Sequence, residues 1–185
     1  TLMRSSAASD VYKRQVYDSM VAVRKEVEML DAYMSLMCYR YSDIIYRSEI
    51  EPGALDIEIP NFILQPLLEN SLMHGLKDRR YQGTIILKIY RNEQDKNELN
   101  IWLIDDGIGI PDDKMAELNA YNAKDSEALY RVQTRTEGDR THLGVINVIS
   151  RLKLYYQENA EVIYMRNETG GTTVKIKIKT ASEET

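Results

Sequence analysis

Cysteine is almost missing from this sequence: among 185 residues only Cys38 occurs, between Met37 and Tyr39. No internal disulfide and no cysteine-based zinc site can form, and a single thiol suits a reducing compartment. Histidine is scarce too, with His74 and His142 alone. Nowhere does the chain approach the roughly 18 apolar residues that a membrane span requires, and its first fifteen residues lack the apolar run of a signal peptide. An excess of positive charge is also lacking. The 24 basic and 29 acidic side chains are interspersed and sum to −5, which argues against a general nucleic-acid or anionic-membrane binder. There is no internal repeat and no low-complexity tract. The length suits one compact domain with an appendage. Such a chain buries roughly 70% of its unfolded surface and needs no metal or disulfide for stability.

Residues 1–15 are polar, small and aperiodic, and read as a disordered or artificial lead. From Val16 a regular pattern begins. Val16, Met20, Val23, Val27, Leu30, Met34, Met37 and Tyr41 recur at alternating steps of four and three, the 3.5-residue repeat of a helix packed along a seam. Met29, Tyr33 and Leu36 widen that stripe, so the helix lies either on its own domain or against a partner. Pro52-Gly53 marks a turn between Ile44–Tyr46 and the alternating Leu55–Ile59, which reads as a short hairpin. A helix opens at Pro60-Asn61, or at Pro66, and closes at Gly75. Strands are expected over Thr84–Tyr90, Glu98–Ile104, Glu161–Met165 and Thr172–Lys179, and helices over Asp112–Ala120 and around Val145–Tyr156. Mixed elements without regular β-α alternation indicate an α+β class, one sheet with helices on one face. The expected segments are a helix over 16–48, a domain over 49–180 and a tail over 181–185.

Four places carry candidate chemistry. Asn70 and His74 lie one turn apart on one helix face, opposite Leu64, Leu68 and Leu72. Asp105-Asp106-Gly107-Ile108-Gly109 ends an apolar strand in two carboxylates and then two glycines, which lets backbone approach a ligand; Asp-Gly pairs also make ordinary turns. In His142-Leu143-Gly144, a glycine at a helix start either exposes amides to phosphate or simply caps the helix. Gly170-Gly171-Thr172-Thr173 is a fourth glycine-rich place, or a plain hairpin turn.

Their order resembles that of the sensor histidine kinases. Ile59-Pro60-Asn61-Phe62-Ile63-Leu64-Gln65-Pro66-Leu67-Leu68-Glu69-Asn70-Ser71-Leu72-Met73-His74-Gly75 is similar to the asparagine box of one branch of that family. Asp105–Ile110 resembles its first glycine box, His142–Val148 with Arg151-Leu152 its second, and Gly170-Gly171-Thr172 its last glycine-threonine element. Glu26–Tyr46, with Tyr33 and Arg40-Tyr41, resembles the segment that leads into the domain.

The resemblance implies the ATP-binding fold shared with DNA gyrase and heat-shock chaperone ATPases, a two-layer α/β sandwich behind one long helix. It also implies roles by position. Asn70 would hold Mg²⁺ against the phosphates of ATP, with His74 beside it. Asp105 would accept from the adenine amino group. Gly107, Gly109, His142, Leu143 and Gly144 would border the nucleotide, and Thr172 or Thr173 would lie beneath the base. Residues Pro111–Thr141 would form a mobile lid, with Arg131, Arg135 or Arg140 toward phosphate. The γ-phosphoryl group would pass to a histidine on a helical hairpin that this chain does not contain. A response regulator and homodimerisation through the N-terminal helix are the implied partners, in a cytoplasmic domain of a membrane-anchored parent. Within the same fold, a serine-directed kinase or switch ATPase is the alternative, and a non-catalytic nucleotide-binding or dimerisation module is another. Three residues depart from the family pattern. Met73 stands where many members carry lysine, and His142 where the second box has glycine. Pro66 replaces the water-activating glutamate of hydrolytic members, and Glu69 is expected to point about 100° away from Asn70.

Overall fold

The computed structural model describes residues 20–124, 129 and 140–180. Five strands make the main sheet in the order β2-β4-β5-β7-β6: β2 (Ile44–Ile50), β4 (Gly83–Arg91), β5 (Glu98–Asp105), β6 (Ala160–Arg166) and β7 (Thr172–Lys179). β2 runs parallel to β4, and the other neighbours are antiparallel. Side chains alternate between faces along each strand. Ile85, Leu87 and Ile89 of β4, Leu99, Ile101 and Leu103 of β5, and Val174, Ile176 and Ile178 of β7 all enter the core. The helices cover that face: α1 (Val23–Arg40), α2 (Gln65–Asn70, continued by a π-helical turn over Ser71–Leu76) and α4 (Arg140–Tyr156). A sheet with helices on one face is the α+β arrangement expected.

Four expectations change. The chain is extended, not helical, over β1 (Met20–Ala22), which pairs antiparallel with β3 (Glu58–Pro60). The stripe that could have faced a partner is buried at home, since Val23, Val27, Leu30 and Met34 all lie in the domain core. A dimer seam along that row is therefore corrected to intradomain packing. The expected boundary at residue 48 falls inside β2. Nor do Ile44–Tyr46 and Leu55–Ile59 pair with each other, because β2 and β3 belong to different sheets.

The lid segment begins differently from expectation. α3 (Asp112–Ala120) is fastened to the outer edge of β6 by two asparagine side chains. Asn119 Nδ2 donates to the Tyr164 carbonyl at 2.9 Å while its Oδ1 accepts from the Tyr164 amide at 2.8 Å. Asn122 Nδ2 donates to the Val162 carbonyl at 2.6 Å, and its Oδ1 accepts from the Val162 amide at 3.0 Å. The first part of the expected lid is thus bound to the sheet. Residues 125–128 and 130–139, with Arg131 and Arg135, lie outside the described residues.

Candidate functional site

Pro66 stands in the first turn of α2, where its missing N–H leaves no helical bond unmade. Ahead of it Phe62 adopts a left-handed φ of 58°. The buried Glu26 carboxylate of α1 accepts from the amides of Phe62 at 2.7 Å and Leu64 at 3.2 Å, fixing the approach to the helix. Leu67, Leu68, Leu72 and Leu76 then sink into the core, which turns Asn70, Met73, His74 and Lys77 toward a cavity of about 640 Å³. One wall is apolar, with Ile108, Ile110, Leu118, Val145, Val174 and the Tyr164 ring. Glu69, Asn70, His74, Lys77, Asp105 and Thr172 form the polar side.

Asp105 is the most constrained polar group there. It ends β5 and is only 2% exposed. Its Oδ2 accepts from the Ser71 hydroxyl at 2.9 Å. Its Oδ1 accepts from the amides of Gly107 at 3.0 Å and Thr172 at 3.2 Å. Burial raises its pKa above the ordinary 3.8, with a smaller push from Asp106, while those three hydrogen bonds pull the other way. The second carboxylate has a different task. Asp106 Oδ1 accepts from the Thr84 amide at 2.8 Å and lies 3.7 Å from the Arg79 guanidinium, so it joins β5 to β4 and the segment after α2.

The glycines divide into distinct roles. A Cβ on Gly107 would stand 2.5 Å from the Gly75 backbone, so this glycine makes room for protein and not for ligand. Gly109 lines the cavity at a φ of 75°, in the left-handed region that favours glycine. Gly144 sits in the first turns of α4, and among the described residues an added Cβ would meet the Pro66 Cβ at 3.5 Å, an ordinary contact. Gly144→Ala is therefore expected to stabilise the ligand-free domain by about 0.5 to 1 kcal/mol, read as a raised Tm, because glycine weakens a helix interior by that amount. If glycine is there for a ligand, the same variant binds nucleotide more weakly.

Of the paired threonines, Thr172 lines the cavity, while Thr173 pairs with Ile104 and Met165 on the opposite face of the sheet. The side chains of Arg140, His142 and Leu143 lie outside the described residues, although their backbone belongs to α4. Glu69, about 100° round the helix from Asn70, also lines the cavity, and its Oε1 accepts from Gln65 Nε2 at 2.8 Å. Sequence reasoning did not single out Lys77, Lys114 or Tyr164 on the cavity wall. Lys77 follows Asn70 by seven residues, two helical turns, and that spacing was a signal open to use.

A family model described as "Histidine kinase-, DNA gyrase B-, and HSP90-like ATPase" matches residues 56–182. The chain belongs to this ATPase family. Among curated relatives, the sensor protein LytS of Oceanobacillus iheyensis is 34% identical over 85% of this chain and 25% of its own length. The sensor histidine kinase YpdA of Escherichia coli is 25% identical over 87% of this chain and 25% of its own length. This ATPase domain thus spans about a quarter of either relative. In three dimensions it resembles the histidine kinase domain of the Erythrobacter litoralis EL346 blue-light activated kinase, with a TM-score of 0.57 at 19% identity, covering 86% of this chain and 61% of that one. The catalytic domain of histidine kinase ThkA gives 0.58 at 11% identity, covering 88% and 96%. At such identities these two likenesses establish the fold. Among the described residues no helix is long and apolar enough to cross a membrane.

Proposed function

We propose that the cavity binds Mg·ATP and that the domain presents the γ-phosphoryl group to a histidine on a separate helical hairpin. The observation that carries this reading is the pairing, in one cavity, of the buried Asp105 carboxylate with the Asn70 amide, which has no hydrogen-bond partner among the described residues. Asp105 is a fixed acceptor on the cavity wall, suited to an amino group on a flat base packed among Ile108, Leu118, Val145 and Val174. The Asn70 amide oxygen, with the Glu69 carboxylate beside it, offers the hard oxygen donors that Mg²⁺ takes. When bound, the metal would neutralise phosphate charge. Lys77 and Lys114 add positive charge on the cavity wall. The protein's part in transfer is then to hold the triphosphate in place and balance its charge, which dominates phosphoryl-transfer catalysis. Pro66 can activate no water, so hydrolysis is slow.

The wider assignment follows the same reading: a response regulator as downstream partner, a membrane-anchored parent and a homodimer of that parent. The test uses γ-labelled ATP with the purified chain and with an acceptor hairpin from the parent protein. Binding should depend on Mg²⁺, the chain should not label itself, and the added hairpin should gain an acid-labile, alkali-stable label. Asn70→Ala should keep adenosine binding but lose the affinity gained from Mg²⁺. Equal Mg²⁺ dependence in both proteins would return Asn70 to the surface, and nucleotide binding that never supports transfer would favour a non-catalytic module.

A further inference from the structure

We propose that Asn167 is a positioning residue for base recognition, its side-chain amide holding the end of β5 so that the Asp105 carboxylate keeps its place on the cavity wall. The inference deepens the nucleotide reading given above and rests on it.

β5 and β7 run antiparallel in a register that ends at Ile104 opposite Thr173. In such a pair, every second residue directs its amide and carbonyl toward the partner strand. Asn97 is one of these, since its carbonyl accepts from the Thr180 amide at 2.8 Å. Asp105 stands an even number of residues further along, so its carbonyl also points toward β7, where Thr172 is the residue opposite. The Thr172 amide goes elsewhere: it donates to the Asp105 carboxylate at 3.2 Å. The side chain of Asp105 has taken the donor that its own backbone would have used.

Asn167, in the turn between β6 and β7, makes good the difference. Its Nδ2 donates to the Asp105 carbonyl at 2.8 Å and to the Thr172 carbonyl at 3.2 Å, bridging the two strands just where their register stops. A primary amide has two N–H groups, one for each, and aspartate in the same place would have none. Asn167 is itself held. Its amide donates to the Gly171 carbonyl at 3.1 Å, and its carbonyl accepts from the Gly170 amide at 3.0 Å. Its Oδ1 accepts from the Thr169 hydroxyl at 2.7 Å, which leaves Nδ2 for the strand ends.

One turn therefore grips Asp105 twice, the carboxylate through the Thr172 amide and the carbonyl through Asn167. Without Asn167 the carbonyl is left facing the Thr172 amide, with no donor but that one. The amide then has two acceptors on the same residue. Each time it turns to the carbonyl, as an ordinary antiparallel pair would have it, the carboxylate loses one of the bonds that fix it.

The test is a double-mutant cycle read by calorimetry with ADP on the wild type, Asn167→Ala, Asp105→Asn and the double variant, with thermal melts of all four. Asn167→Ala should bind ADP about 5-fold more weakly, the size of one neutral hydrogen bond. In the Asp105→Asn background the same substitution should change ADP affinity by less than about 2-fold, because the carboxylate it positions is gone. A residue that only stabilises the turn would lower Tm and act alike in both backgrounds. Should Asn167→Ala fail to fold, Thr169→Val takes its place in the cycle: this exposed turn position frees the Asn167 amide to turn over, and its effect on ADP should vanish likewise with Asp105→Asn. Wild-type ADP affinity in the Asn167 variant overturns the proposal, as does a loss that carries over in full to the Asp105→Asn background. If the wild type binds no ADP at all, the nucleotide reading itself fails and this inference falls with it. That result is distinct from a wild type that binds and a variant that binds equally well.

Discussion

Asp105→Asn is expected to leave the domain folded and weaken adenine-nucleotide binding by roughly 10- to 150-fold, the value of about 1.5 to 3 kcal/mol for a charge-assisted hydrogen bond. The two effects separate because the internal bonds of Asp105 survive the change. Asparagine Oδ1 can still accept from the amides of Gly107 and Thr172. Its new amide can donate to Ser71 Oγ once that hydroxyl rotates. What disappears is an acceptor for the base. The pH dependence has a definite sign. The folded-state pKa of Asp105 is raised, so its contribution to stability is fully present below the unfolded value and is lost as pH rises through the folded one. Asp105→Asn lacks this loss. Thermal melts should therefore show the variant gaining on the wild type as pH rises from about 4 into the neutral range. A calorimetric dissociation constant equal to that of the wild type would remove Asp105 from the site.

Gly107→Ala should do the opposite, damaging the scaffold first. The added Cβ would fall 2.5 to 2.6 Å from the carbonyl carbon, oxygen and Cα of Gly75, atoms of backbone that cannot swing aside. The same stretch is tied by the Ile108 amide, which donates to the Gly75 carbonyl at 3.0 Å. The strand end and the helix must separate, at a cost of about 1 to 3 kcal/mol by analogy with overpacked cores. For a domain of this size that lowers Tm by several degrees. Nucleotide binding should fail along with it, because Asp105 accepts from the Gly107 amide and cannot keep its place. Gly144→Ala is the control: the same chemical change, where the Cβ makes an ordinary contact with Pro66, should raise the melting temperature. Equal melting of Gly107→Ala and the wild type would show that the Gly75 contact yields more easily than its geometry implies.

Much of the site was legible because its residues act through local sequence. Asn70 and His74 share a helix face by spacing, and Asp105 stands at a strand end before glycines, so both survive folding as read. The failures lie where distant segments meet. β2 finds its partner in β4, beyond the whole of α2, and no local pattern distinguishes that parallel pairing from a hairpin with the nearby Leu55–Ile59. The apolar row of α1 was visible, but hydrophobic spacing cannot say whether the surface it meets is its own sheet or another chain. Tyr164 sits in an alternating strand like any core aromatic, and nothing in the sequence shows that its buried hydroxyl has no partner among the described residues.

The asparagine clamp on β6 determines where this sheet can grow. An exposed edge strand presents unpaired amides and carbonyls that invite a foreign strand. On β6, Asn119 and Asn122 occupy those groups at Val162 and Tyr164 as a neighbouring strand would, each side-chain amide imitating one peptide unit. At the far side, among the described residues, β2 pairs with β4 alone. The two margins of the sheet are therefore unequal hosts for an added strand: the one at β6 is already occupied at Val162 and Tyr164, and the one at β2 carries no such clamp among the described residues.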